Sequence, residues 1–201
     1  MGIKDYAKIK KVYAIVLVTI AYTVFSILLT GCFNQSAKEK DTHKINQKAI
    51  EEVLRKSLTC PSLSSLETEE GLSIIGKELD TDSKSPENSL IEKELESMYK
   101  TFLTDKYYDI FIRKHALTFE IAAVRSGYEI TVNSINVYPK ENDPIGYSFK
   151  VNVTYGKDTS QNSTAEISGS AQCIEEGKLS YINYIDDGGL LNNMKYNTEQ
   201  P

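Results

Sequence analysis

Tyr147-Ser148-Phe149-Lys150-Val151-Asn152-Val153-Thr154-Tyr155 decides the fold of this chain. Apolar and polar residues alternate through it without a break. A period of two belongs to a strand with one face on a core and the other in water. The segment upstream repeats the pattern with one fault: Tyr128, Ile130 and Val132 alternate with polar neighbours, then the parity flips to Ile135 and Val137. A change of face inside one strand is what a β-bulge produces, which places a bulge near Asn133-Ser134. Pro139 to Gly146 is expected to turn, as is Gly156 to Ser163. Ala165, Ile167, Gly169, Ala171 and Cys173 then alternate with polar partners and are mostly small. Glu175-Glu176-Gly177-Lys178 has the composition of a tight hairpin. Leu179 to Ile185 is apolar on both faces, which predicts a central strand, and Asp186-Asp187-Gly188-Gly189 ends it.

Helical patterns precede the strands. Ile45, Ala49, Ile50, Val53, Leu54 and Leu58 form one stripe at helical spacing, with Glu51, Glu52, Arg55 and Lys56 opposite, and Pro61 stops the run. Glu67 to Lys84 is polar and mixed, with room for a short strand or a turn of helix. Ser85-Pro86-Glu87 offers an N-cap, a proline at the first helical position and an acid in the first turn. The helix it opens is expected to reach about Thr101 and to bury Leu90, Ile91, Leu95, Met98, Tyr99 and Phe102. Thr104-Asp105 caps a third, short helix carrying Tyr107, Tyr108, Phe111 and Ile112. His115 to Arg125 alternates in part like a strand, but Ala122-Ala123 and a following Gly127 favour a helix with a glycine C-cap. Helices first and antiparallel strands second give an α+β fold, with N-terminal helices packed on a bent four-stranded antiparallel meander. The small residues from Ala165 to Cys173 leave room for the first helix to lie close, which would bring Cys60 towards Cys173.

The N-terminus carries a different signal. Lys4, Lys8, Lys10 and Lys11 precede an uncharged run from Val12 to Leu29, which ends in Leu29-Thr30-Gly31-Cys32. A basic start, an apolar stretch and small residues before a cut site are the layout of a secretory signal. The last four residues resemble the lipobox of bacterial lipoproteins. The resemblance implies that Cys32 takes a diacylglyceryl group and that cleavage before it makes Cys32 the first mature residue. The competing reading is an uncleaved transmembrane anchor, since about 18 residues is the lower limit for a span. Two acyl chains on one cysteine would hold the protein durably, each buried CH₂ contributing ~0.8 kcal/mol. The organisation read from this is a signal peptide at 1–31, a flexible tether at 32–44, one domain at 45–195 and a tail at 196–201.

The chain has 201 residues and a formal net charge of −5, and losing the basic leader makes the remainder more acidic still. An acidic surface argues against nucleic acid as a partner. Abundant Lys, Asn, Ile and Tyr without Trp resembles an AT-rich, Gram-positive-type composition. With Cys32 lipidated, Cys60 and Cys173 remain: a candidate disulfide outside the cytoplasm, or two buried free thiols.

The helices, the bulged first long strand and the curled meander resemble the nuclear transport factor 2-like fold over roughly Ile45 to Leu191. The resemblance implies a cone-shaped α+β architecture, and the fold serves isomerases, dehydratases and binding modules alike. The chain contains no H-E-x-x-H, G-x-S-x-G, Walker, G-x-G-x-x-G or C-x-x-C motif, and only two histidines. No catalytic, cofactor-binding or metal residue is therefore assigned. Weak constellations are Asp109 and His115 with Tyr128 and Tyr181 as an acid/base set, and Asp186-Asp187 with the following glycines as a calcium ligand cluster; their ordinary readings are surface and core residues, and a strand end and turn. The expectation is a lipid-anchored lipoprotein on the extracytoplasmic face of the cell membrane, binding an envelope protein or a small apolar ligand through the concave sheet face. The alternative is an exported enzyme with an acid/base site inside the cone.

Overall fold

A computed structural model describes residues 40–63, 66, 86–157 and 162–196. The described residues from Lys44 onward belong to one compact unit, which contains the sheet. The signal segment, the lipobox with Cys32, the segment from Glu67 to Ser85 and the end of the tail lie outside the described residues.

Residues 40–58 form helix α1, so the expected tether is already helical at Lys40. Helix α2 spans Pro86–Tyr99 and opens on its proline; a 3₁₀ turn, Lys100–Phe102, follows. Helix α3 spans Asp105–Phe111 and runs into a π-helical turn at Ile112–Ala116. Helix α4, Thr118–Ser126, ends on Gly127 at φ 67°, the left-handed cap that glycine adopts without a Cβ penalty. Strands β1 (Glu129–Lys140), β2 (Asp143–Gly156), β3 (Ser163–Gln172) and β4 (Tyr181–Asp186) follow, then helix α5 (Leu190–Tyr196). The fold is α+β, with a four-stranded antiparallel sheet in the order β1-β2-β3-β4.

The register shift between Val132 and Ser134 puts the bulge at the expected place. The turn after Pro139 is tighter than expected: Pro139 pairs with Tyr147 and Lys140 with Asp143, leaving Glu141 and Asn142 to reverse the chain. Asn142 takes φ 60°, a left-handed conformation its short polar side chain tolerates. The hairpin at Glu175–Lys178 closes as read, with Gly177 at φ 73°. Leu90 stands exposed, not buried with the rest of its helix.

Strand β4 is an edge strand, a correction to its expected central place. Its apolar residues split three ways: Ile182 enters the core, Tyr184 is half-buried beneath it, and Tyr181 and Ile185 are exposed. A free strand edge is a liability unless its peptide groups are covered. Here Thr104 N–H donates to Leu179 O at 2.9 Å and Leu179 N–H to Phe102 O at 2.8 Å. One turn on, the Tyr107 hydroxyl accepts from Ile182 N–H at 2.9 Å and donates to Ile182 O at 3.2 Å. The β1 edge is covered likewise, by a two-way bridge between Cys60 and Ile130 and by Gln47 Nε2 donating to Val137 O at 2.7 Å.

The small stripe on β3 is occupied by aromatic rings. Gly169 pairs with Phe149 on one side and Tyr184 on the other, and a Cβ there would run into the Phe149 ring and the Asn183 carbonyl. Those two rings meet edge-on at 5.7 Å. The inner sheet face, with Val151, Val153 and Ile167, joins Ile50, Val53, Leu54, Ile91, Leu95 and Phe119 in one continuous core. The concave face expected to bind a ligand is therefore covered by helices. Helix α5, unforeseen in the sequence, buries Leu190 and Met194 and donates from Asn193 to the Tyr155 hydroxyl at 2.8 Å.

Cys60 and Cys173 are free, buried thiols. Cys60 pairs with Ile130, whose β2 partner is Tyr155, whereas Cys173 N–H donates to Ile145 O at the start of β2. Roughly ten residues of strand, about 30 Å, separate those points, and a disulfide needs Cα atoms within about 7 Å. Helix α1 crosses the sheet with its start beside Cys173 and its end beside Ile130: Asn46 donates to the Tyr147 hydroxyl at 2.9 Å and accepts from Gly177 N–H at 2.8 Å. That direction is what keeps the two thiols apart.

Candidate functional site

The β3–β4 hairpin and the start of α3 enclose a groove of 440 Å³ lined by Thr104, Asp105, Lys106, Tyr107, Ile110, Ile174, Glu175 and Ser180. Its geometry follows from the edge pairing described above. The bridge between Leu103 and Leu179 fixes the first turn of α3 against the hairpin, and the Tyr107 hydroxyl locks the helix to Ile182. Tyr107 is thereby held with its ring against the Tyr181 ring, 6.4 Å between centroids. Burial pushes the Tyr107 hydroxyl pKa up, so the phenol stays a neutral donor and acceptor.

The groove gathers apolar side chains that face water. Ile110 is 40% exposed and Ile174 69%, and Tyr181, 43% exposed, borders the groove through its contact with Tyr107. Ile45, 45% exposed, stands over the hairpin tip at Gly177. Isolated surface apolar residues need no account, but a cluster around one concavity marks an interaction site. Asp105, within 3.9 Å of Lys100, and Glu175 rim the cluster. The arrangement can exclude water from an apolar group and offer polar contacts at its margin. The sequence signal for it is Ile174, an isoleucine between a strand end and an acidic turn.

The acid/base set from the sequence is not brought together. Asp109 is exposed on α3. His115 sits in the π-helical turn, its ring 5.9 Å from both Phe111 and Tyr184, and burial, then Lys114, lowers its pKa. Tyr128 packs on Tyr155 at 6.0 Å beside the start of β1, while Tyr181 lies across from Gln172 at the other end of the sheet. Asp186 and Asp187 have structural work: Asp186 accepts from Gly188 N–H, and Asp187 accepts from Gly189 and Leu191 N–H as the cap of α5. Among the described residues no group of three or more His, Cys, Asp or Glu is placed to hold a metal.

A buried carboxylate escaped the sequence reading. Glu120 is 2% exposed and accepts from Ser62 N–H at 2.7 Å, Leu63 N–H at 2.8 Å and the Ser62 hydroxyl at 3.1 Å. Those donors offset the cost of burying a charge and tie the loop after α1 to α4. Burial, then the neighbouring Glu120, raises the Cys60 thiol pKa, and burial pushes Cys173 up to about 12. Neither thiol is a nucleophile at neutral pH.

No protein-family model, curated protein or solved structure matches this chain. Among the described residues no helix is long and apolar enough to cross a membrane.

Proposed function

We propose that this protein is a lipid-anchored, extracytoplasmic binding module of the nuclear transport factor 2-like class, and that it acts without catalysing a reaction. The observation that carries the binding role is the groove at α3 and the hairpin, where Ile110 and Ile174 stay in water around a concavity. Its partner is an envelope protein or a small apolar ligand. Support for the anchor is the run from Lys4 to Cys32; support for the fold class is the helices-then-meander order with the bulge at Asn133.

Two experiments test the proposal separately. Cys32→Ala is expected to release the protein from membranes and to abolish labelling by radioactive palmitate; label that persists refutes the anchor. Full-length protein with Ile110→Asp and Ile174→Asp is expected to lose a partner that the unaltered protein enriches from envelope extract. Equal enrichment by both proteins refutes the groove.

A further inference from the structure

The sheet face turned away from the helices carries a lane unlike its surroundings. In one cross-strand row stand Tyr138, Ser148, Ser170 and Asn183, and in the next Gly146, Gln172 and Tyr181. Their side chains point outward, because their neighbours Val137, Tyr147, Ala171 and Ile182 are buried; Gly146, which has none, is covered on that face by Asp143. Tyr138 is 51% exposed at one edge of the sheet and Tyr181 is exposed at the other. Three strand spacings, roughly 14 Å, separate them across the sheet, and two residues, about 7 Å, along it.

The polar groups further along the face satisfy one another. Asn133 Nδ2 donates to Thr154 Oγ1 at 2.7 Å, Asn152 Nδ2 to Ser134 Oγ at 3.1 Å, and Lys150 pairs with Glu166 at 2.7 Å. In the lane itself the side chains of Ser148, Ser170, Gln172 and Asn183 make no hydrogen bond to another described residue. They are half-buried, so each offers donors and acceptors held in place by the sheet. One charged side chain reaches the lane: the Asp143 carboxylate lies over Gly146, while Lys150 and Glu166 in the neighbouring row pair with each other.

The geometry points to this lane as a binding site for an uncharged oligosaccharide, its rings lying on Tyr138 and Tyr181 and its hydroxyls bonded to Ser148, Ser170, Gln172 and Asn183. The chemistry selects the class. Tyrosine offers a flat apolar ring with a polar tip, which suits the C–H face of a sugar. Uncommitted amides and hydroxyls match a ligand dense in hydroxyls. Nucleic acid bases also stack on such rings, but their phosphates would meet a chain of net charge −5 and the Asp143 carboxylate over Gly146. The Asp143 carboxylate repels a polyanion and can accept from the hydroxyls of an uncharged sugar. The lane meets the groove at Tyr181, whose ring packs on Tyr107, and it is independent of the anchor.

Calorimetric titration of the full chain in detergent tests the assignment, with chitohexaose and cellohexaose as neutral probes and a heparin hexasaccharide as the polyanion. Saturable binding of a neutral probe is expected, weakened about fivefold by Tyr138→Ala and lost when Tyr181→Ala is added. Tyr138→Phe, which keeps the ring, should retain most of the affinity, and Ile174→Asp in the groove should leave it unchanged. The exposed Tyr138 position keeps the first variant folded, which its unfolding temperature checks. Absence of saturable binding by both neutral probes, undiminished binding by the double alanine variant, or tighter binding of the polyanion overturns the assignment. So does a concentration-dependent dimer dissolved by Tyr138→Ala in a chain that takes up no sugar.

Discussion

Two tyrosines packed at the β4 edge have opposite energetic roles. The Tyr107 hydroxyl is the partner of both peptide groups of Ile182 on an edge strand. Tyr107→Phe leaves that N–H and C=O facing a ring, and a buried peptide group without a partner costs about 1–3 kcal/mol. Urea denaturation should register a loss of that size, with no change in the slope. The Tyr184 hydroxyl is buried with no hydrogen-bond partner of good geometry among the described residues, though it lies near Ser57, and burial raises its pKa. Tyr184→Phe removes an uncompensated desolvation while keeping the ring contacts with His115, Phe119 and Phe149, and should leave stability unchanged or raise it by up to ~1 kcal/mol. The same titration distinguishes the two, and a loss at Tyr184 as large as at Tyr107 would show that the hydroxyl is bonded.

Among the elements, β3 depends most on one residue. Its glycine is there for its neighbours: Gly169 makes the space in which the Phe149 and Tyr184 rings meet, and the register shift to β4 begins at that point. Gly169→Ala should destabilise by about 1–3 kcal/mol through overpacking, since the obstacles are a core ring and a backbone carbonyl. The alternation of β3 was legible because a strand with one buried face must alternate. Which object fills the space above a small residue was not, because a ring from the adjacent strand and a helix from afar leave the same blank in the sequence. Strand β4 was misplaced for a related reason. Apolar residues on two faces signal burial on both sides, yet here the second set is exposed beside α3, and the edge is protected by hydrogen bonds from Tyr107, Thr104 and Phe102 that no local pattern encodes.

At the scale of the whole molecule, burial couples stability to pH at both ends. His115 has its folded pKa lowered from 6.5, so the unfolded chain binds the proton more readily. Its contribution is complete above about 6.5, is lost as pH falls through that value, and stops changing below the folded pKa. His115→Gln should flatten that part of a plot of unfolding temperature against pH. The thiols act oppositely: Cys60 and Cys173 are raised from 9.0, so stability should fall as pH rises past about 9, where only the unfolded chain ionises. Both should resist a thiol reagent at pH 8 until the chain unfolds. By itself the sequence determined the class α+β, the helix-then-strand order, the bulge and the Gly127 cap, because periodicity and backbone sterics act over a few residues. Only the tertiary structure decided the strand at the edge, the direction of α1 that parts Cys60 from Cys173, and the groove and the lane. Each of those depends on which distant side chains meet, and contacts across the sheet leave no mark on local spacing.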